Sequence, residues 1–264
     1  MKKFVVMSTM RSGTTWLISL LDSHEQITCA GEMLHSDLRQ CEHITYHKEF
    51  SLGYFFKDRP EKREIAKYNQ RQVLFEYLDW FYASIGDSSA LGFKLMLNHI
   101  YRFPEIMEYI QERNVKVILL LRTNLVDRLI SHALKSTSKS QQEMTAIEKI
   151  RSFLRGYKFA RKNSSGQLIL NLRDSMRKLS TYENENAALM NYAAKCETEV
   201  IYYQDLVDNK DDCLRIVFPF LDVNPLELTS PRKKIRTKKI NEIVKNYSEL
   251  SKRLEGTRFQ KFLR

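Results

Sequence analysis

Early in the chain, Met10-Arg11-Ser12-Gly13-Thr14-Thr15 gathers four small residues around one cation. The stretch lies between an apolar run, Phe4 to Met7, and a segment in which Trp16, Leu17, Leu20 and Leu21 recur at helical spacing. A strand-to-helix turn of this composition offers an anion its backbone N–H groups, a helix N-terminus and the hydroxyls of Ser12, Thr14 and Thr15. Gly13 lets the backbone approach such a ligand closely. The anion need not be ATP, because a Walker A loop requires Gly-x-x-x-x-Gly-Lys-Ser/Thr. Here Ser8 stands at the first glycine position and Thr14 at the lysine position. A Ser/Thr helix cap would account for Ser12 or Thr14 alone. It does not account for Arg11 at the mouth of an apolar strand.

Groups able to move a proton follow. Gln26 to Ala30 reads as a second strand that ends at Gly31-Glu32. A carboxylate just past a strand end, on the loop side of a parallel sheet, is placed to meet a ligand. Glu32 is therefore the first candidate for a general base. His35, three residues on, is a substitute, and so is His99. Lys94 sits inside the apolar segment Leu91 to Met96, where a lysine needs an anion or a strand end to be tolerated. An edge-strand lysine reaching out to solvent is the competing reading. His43 and His47 are four residues apart, but a lone pair of that kind reads as surface rather than as a metal site.

Val115 to Leu121 is a near-continuous apolar run, as in a strand buried on both faces. A P-loop nucleotide hydrolase would finish such a strand with an aspartate to hold magnesium. This one finishes with Arg122, which suits a phosphate directly and without a metal.

Arg11 to Trp16 resembles, at every position, the donor loop Lys/Arg-Ser-Gly-Thr-Thr-Trp of the sulfotransferases that use 3′-phosphoadenosine 5′-phosphosulfate (PAPS). That family also has a strand ending in Arg with a Ser about nine residues on, and Arg122 and Ser131 repeat the spacing. IYYQDLVDN looks like the family's Tyr-Glu-Asp-Leu element, with Gln204 in place of the usual Glu. Lys234 to Leu250 is similar to the ending of the bacterial carbohydrate and nodulation-factor branch. The resemblance implies a PAPS co-substrate held by Arg11, Ser12, Gly13, Thr14, Thr15 and Trp16 at its 5′ end. It implies Arg122 and Ser131 at the 3′-phosphate, Tyr203 at the adenine, and Lys234 and Arg236 from the basic tail. It further implies Glu32 as base and Lys94 beside the transferring group; with Arg11, and with His99 read from its position as a group to orient the acceptor or replace Glu32, these make up the expected catalytic set, with no metal. The acceptor it implies is a carbohydrate or glycolipid hydroxyl. A nucleotide kinase or other P-loop phosphotransferase, a sulfotransferase acting on a peptide tyrosine or small metabolite, and a polyanion-binding protein without activity are the alternatives.

The elements that must position these residues are legible in part. Apolar strands are expected near residues 4–7, 26–30, 91–96, 115–121 and 199–203. Helices are expected over Glu61–Ala83, Phe103–Arg113, Leu125–Leu134, Gln141–Arg161, Leu172–Ala194 and Leu206–Leu221. Residues 39–60 read as irregular. Strands alternating with helices predict an α/β three-layer fold around a central parallel sheet, P-loop-like in topology. The 264 residues suit a single sulfotransferase domain, residues 1–264, able to bury about three quarters of its unfolded surface.

Composition sets the outer bounds. A hydrophobic fraction of 43% with 28% charged residues is ordinary for a globular chain. The net charge of +11 suits polyanionic partners. Six cations crowd Arg232 to Lys239, but no zinc-finger spacing or aromatic RNA motif accompanies them, so no nucleic-acid partner is expected. The four cysteines show no metal-ligand spacing and read as reduced thiols of a cytoplasmic protein. No apolar run reaches about 18 residues, and the one after Lys2-Lys3 breaks at Arg11, so neither a membrane span nor a signal peptide is expected. The partners expected are the donor nucleotide and a small-molecule or glycan acceptor. Oligomeric state is not legible.

Overall fold

The computed structural model of the chain describes residues 1–44, 46–84, 88–137, 159–231 and 238–263. In chain order come strand β1 (Lys2–Ser8), helix α1 (Thr14–Leu21), β2 (Ile27–Ala30), α2 (Leu38–Cys41), α3 (Leu52–Asp58), α4 (Pro60–Ile65) and α5 (Gln70–Ser84). β3 (Ala90–Met96), α6 (Leu97–Arg102), α7 (Glu105–Glu112), β4 (Lys116–Leu121) and α8 (Leu125–Ser136) follow. Then come β5 (Ala160–Lys162), β6 (Leu168–Leu170), α9 (Leu172–Ala193), β7 (Thr198–Tyr202), α10 (Tyr203–Asp208), α11 (Lys210–Arg215) and α12 (Val217–Leu221). α13 (Ile240–Ile243) and α14 (Tyr247–Leu254) close the series. The chain forms two compact units, residues 1–122 with 186–233 and residues 123–185 with 234–264.

The first unit is built on five parallel strands in the order β2-β3-β1-β4-β7. Alternate residues of each strand face opposite sides, and here both sides are apolar. Val5 and Met7 of β1, Phe93 and Leu95 of β3, and Val117 and Leu119 of β4 share one core with Tyr77, Phe81, Ile106 and Ile110 of α5 and α7. Phe4, Val6, Ile118 and Leu120 share the other with Leu17 and Leu20 of α1 and with Leu214, Val217 and Leu221 of α11 and α12. A sheet covered by helices on both faces is the three-layer α/β arrangement expected from the sequence. The ring of Phe4 lies over Gly92, where a Cβ would come within 2.5 Å of it, so the central strand pair needs a glycine at that rung.

The second unit holds the antiparallel pair β5–β6, with Ala160 opposite Leu170. Leu129, Leu168, Leu179, Leu250 and Phe259 form its core. Arg128 is only 1% exposed there, ion-paired with Glu185 and stacked 4.0 Å above the Tyr182 ring. A guanidinium buried this deeply is tolerable because both its charge and its flat face are engaged.

The structure differs from the sequence reading at several places. The expected helix over 61–83 is interrupted, because Asn69 Oδ1 accepts from Gln72 N at 3.1 Å and caps a fresh start for α5. Residues 39–60, expected to be irregular, contain α2 and α3. The helical stretch expected over 206–221 is three short helices, α10 to α12. α6 and the β5–β6 pair went unread. Residues 141–158 of one expected helix lie outside the described residues, while Ala160 and Arg161 are strand. No helix among the described residues is long and apolar enough to cross a membrane.

Candidate active site

Five parallel strands deliver their C-terminal ends to one edge of the sheet, where ligands of open α/β sheets bind. β1 feeds the loop 9–13, β2 feeds Gly31-Glu32, β3 carries Lys94 and leads into His99, β4 ends at Arg122, and β7 leads into Tyr203.

The loop after β1 has Arg11 at φ 66° and Gly13 at φ 89°, both left-handed. Left-handed residues in a turn curl successive N–H groups toward one concavity. For Arg11 the conformation costs on the order of 1–3 kcal/mol, the kind of strain found at ligand-binding turns. α1 starts at Gly13 with no side-chain cap, its carbonyl accepting from Trp16 N at 2.9 Å and Leu17 N at 3.2 Å. The buried hydroxyls brace the loop. Ser8 Oγ and Thr14 Oγ1 are 2.5 Å apart, and Thr9 Oγ1 and Ser12 Oγ are 2.8 Å apart. The hydroxyls of Ser12 and Thr14, read from sequence as donors to an anion, thus engage the loop's own oxygens.

Arg122 reaches the same loop. Its Nη1 donates to the Arg11 carbonyl at 3.1 Å, and its guanidinium lies 4.5 Å over the Tyr203 ring. Tyr203 in turn covers Gly13, at which a Cβ would sit 2.4 Å from the ring, and meets Trp16 edge-on at 6.5 Å. Arg11, Gly13, Trp16, Arg122 and Tyr203 are therefore brought together. Asn186 Nδ2 donates to the Arg122 carbonyl at 3.1 Å, a support that no motif in the sequence announced.

A second cluster stands one strand away. Parallel pairing sets Val6 opposite Lys94 and Ala30 opposite Phe93, and Lys94 N donates to the Gly31 carbonyl at 3.1 Å. This extends the ladder one rung past β2 and aligns the next side chains. Lys94 Nζ donates to Glu32 Oε1 at 2.6 Å. The other carboxylate oxygen lies 3.3 Å from His35 Nε2 and 3.7 Å from His99 Nε2. His99 Nδ1 accepts from Met96 N at 3.4 Å, which assigns its proton to Nε2 when the ring is neutral. That buried Nε2 has no hydrogen-bond partner.

The electrostatics follow from the packing. Burial raises the Glu32 carboxyl, but the His35 hydrogen bond, the Lys94 ammonium and the charge of His99 outweigh it and hold the group at about 2. Burial pushes the His99 imidazole down to about 4, against the pull of the Glu32 charge. Near neutral pH the cluster is an ionised carboxylate, an ammonium and a neutral buried imidazole. Its three ligand-type atoms, from Glu32, His35 and His99, lie within 4.8 Å of one another, a spacing that suits a proton or a cation.

Ser131 stands on α8 of the second unit, and Lys234 and Arg236 lie outside the described residues. His43 and His47 share no helix. His47 sits at φ 54° and its Nε2 is 3.0 Å from Asp22 Oδ1, a bond that raises its pKa above the ordinary histidine value.

A family model described as "Sulfotransferase family" matches residues 4–227 of the chain. Among curated proteins none matches. Solved structures similar to the chain include a sulfotransferase from Alicyclobacillus acidocaldarius, 13% identical, with 100% of this chain and 96% of that one covered at a TM-score of 0.48. The sulfotransferase domain of the curacin biosynthetic pathway is 18% identical, covering 86% of this chain and 76% of its own at 0.49. Mouse sulfotransferase SULT7A1 complexed with PAP is 14% identical, covering 99% and 74% at 0.37.

Proposed function

The chain belongs to the sulfotransferase family, and on that premise we propose that it moves a sulfuryl group from PAPS to an acceptor hydroxyl on a carbohydrate or glycolipid. The observation that carries the reading is the meeting of Arg122 and Arg11 at one uncapped, left-handed loop, with the Lys94–Glu32 pair on the neighbouring strands. The family match crosses both compact units, which supports reading residues 1–264 as one sulfotransferase domain.

The residues present fit the donor. The loop 11–16 would take its 5′-phosphosulfate, Arg122 its 3′-phosphate and Tyr203 its adenine. Bound there, PAPS supplies an activated sulfur whose bond to the 5′-phosphate oxygen breaks as the acceptor oxygen bonds to it, leaving adenosine 3′,5′-bisphosphate. Glu32 takes the proton from the acceptor hydroxyl. Lys94 and Arg11 face the charge gathering on the departing oxygen, where fixed cations act most strongly. Lys94 thereby has two anionic partners. Moving toward the donor releases Glu32 from the ammonium that keeps it a weak base. His99, buried and neutral, stands 3.7 Å from the other carboxylate oxygen, with its Nε2 hydrogen-bonded to nothing among the described residues.

Titration calorimetry with adenosine 3′,5′-bisphosphate in magnesium-free buffer, followed by transfer from labelled PAPS to fractionated glycans and glycolipids, tests the reading. Micromolar binding and label on a carbohydrate hydroxyl are expected. No heat with the nucleotide would overturn the donor assignment.

A further inference from the structure

Beside the Glu32 cluster the first unit contains a cavity of about 220 Å³. Its walls are apolar, from Leu52, Phe56, Val73, Leu74 and Phe103. Its rim is cationic, from Arg63, Lys67 and Arg102. Two of these cations are fastened to one residue. Arg63 Nη2 donates to the Ser36 carbonyl at 3.1 Å, and Arg102 Nη2 donates to the Ser36 hydroxyl at 2.8 Å. Each also lies over an aromatic ring of the cavity wall, Arg63 over Phe56 at 5.4 Å and Arg102 over Phe103 at 5.0 Å. No carboxylate among the described residues forms an ion pair with either, whereas Lys67 is paired with Glu64 at 2.5 Å.

The cavity and the acid–base cluster share their framework. Ser36 follows His35, which contacts Glu32. Arg102 ends the helix that carries His99, about 4.5 Å along its axis from that residue. At about 220 Å³ the cavity is smaller than the roughly 300–1,000 Å³ of sites that enclose a whole drug-sized ligand. It therefore takes part of a molecule and leaves the rest free to reach Glu32. Two planar guanidiniums held by backbone and hydroxyl, with no carboxylate partner, suit the bidentate recognition of a carboxylate, phosphate or sulfate. The Asp37 carboxylate adds charge near Arg63 without ion-pairing to it, and a neutral sugar would leave the apolar walls facing polar surface and both guanidiniums without an ion-paired anion.

We propose that this cavity is an acceptor subsite, and that the acceptor is an anionic amphiphile whose apolar segment fills the cavity while its acidic group is held by Arg63 and Arg102. The proposal rests on the sulfotransferase reading of the neighbouring cluster and narrows its acceptor class. Acidic glycolipids and hydroxylated fatty acids share this chemistry.

Calorimetry on the full chain with octanoate, octanol and glucose tests it, each alone and with adenosine 3′,5′-bisphosphate. Octanoate is expected to bind at least about tenfold more tightly than octanol, as a charge-assisted hydrogen bond to arginine implies, and glucose not at all. In the double variant Arg63→Gln with Arg102→Gln, octanoate should fall to the level of octanol while the nucleotide binds as before. Equal binding of octanoate and octanol, no binding of either, or an unchanged preference in the double variant overturns the proposal. Octanoate binding that survives where the nucleotide gives no heat keeps the subsite and removes the donor assignment, so the two failures are distinct. Transfer of label from PAPS to a hydroxylated fatty acid or to an acidic glycolipid then identifies the source, and label confined to neutral sugars would count against the subsite.

Discussion

Lys94 Nζ and Glu32 Oε1 lie 2.6 Å apart, although 62 residues of chain separate them. Opposite charges this close lower the carboxyl, and the Lys94 contribution is part of what holds Glu32 at about 2. A base must be ionised to work, so in the native chain the acid limb of kcat/KM should not come from Glu32 at any accessible pH. Lys94→Met removes the ammonium and leaves burial, which raises the group, opposed mainly by His35. The expected outcome is a new acid limb in the ordinary carboxylate range, with turnover lowered. A pH–rate profile of K94M that matches the native one would show that the two groups act independently.

Glu32→Gln and Arg11→Ala should each lower turnover at least about a hundredfold, the scale of a lost general base or a lost charge stabiliser. They should differ in binding. Glu32→Gln leaves adenosine 3′,5′-bisphosphate affinity intact, while Arg11→Ala weakens it. Near-normal turnover in Glu32→Gln would transfer the role to His35 or His99.

Gly13→Ala meets two obstacles, a φ of 89° and the Tyr203 ring at 2.4 Å. A left-handed alanine costs about 1–2 kcal/mol, and displacing Tyr203 also removes the stacking partner of Arg122. The variant should lose about that much stability in urea unfolding and bind the nucleotide at least about tenfold more weakly. Unaltered affinity would mean that Tyr203 and the loop glycine do not shape the donor site together.

His99 supplies a pH signature in stability. Its folded value of about 4 lies below the ordinary 6.5, because burial disfavours the charged ring. Between those values the unfolded chain binds the proton and the folded chain does not, so stability rises with pH through that window. The contribution is complete above about 6.5, is lost progressively as pH falls to about 4, and amounts to about 3 kcal/mol over the window. Glu32, also depressed, contributes in the lower window between 4.5 and about 2. Urea unfolding of native protein and His99→Gln at a series of pH values checks this, the variant showing a flatter dependence between 4 and 6.5.

Much of the frame was legible because the central strands are buried on both faces. Phe4 to Met7 and Val115 to Leu121 are unbroken apolar runs, and a loop of Arg, Ser, Gly and Thr between a strand and a helix has few other uses. Arg122 was legible for the same reason, as a cation closing an apolar strand. The pairing of Lys94 with Glu32 was not, since it depends on the register between β2 and β3, which no local pattern encodes. α6 was missed because Leu97–Arg102 is too short for a periodicity to emerge. Asn186 lies in an amphipathic helix whose sequence gives no reason to single out one asparagine. The cavity rim escaped notice because Ser36, Arg63 and Arg102 come from three separate segments.

The hydrogen bond from Lys94 N to the Gly31 carbonyl means that main-chain atoms act as the ruler for the acid–base pair. Side-chain length is then the only adjustable part. An aspartate at position 32 would stop a methylene short of the ammonium, with no slack in the ladder to make up the gap. Retuning this centre, by evolution or by design, would have to proceed through reach and not through rearranged loops.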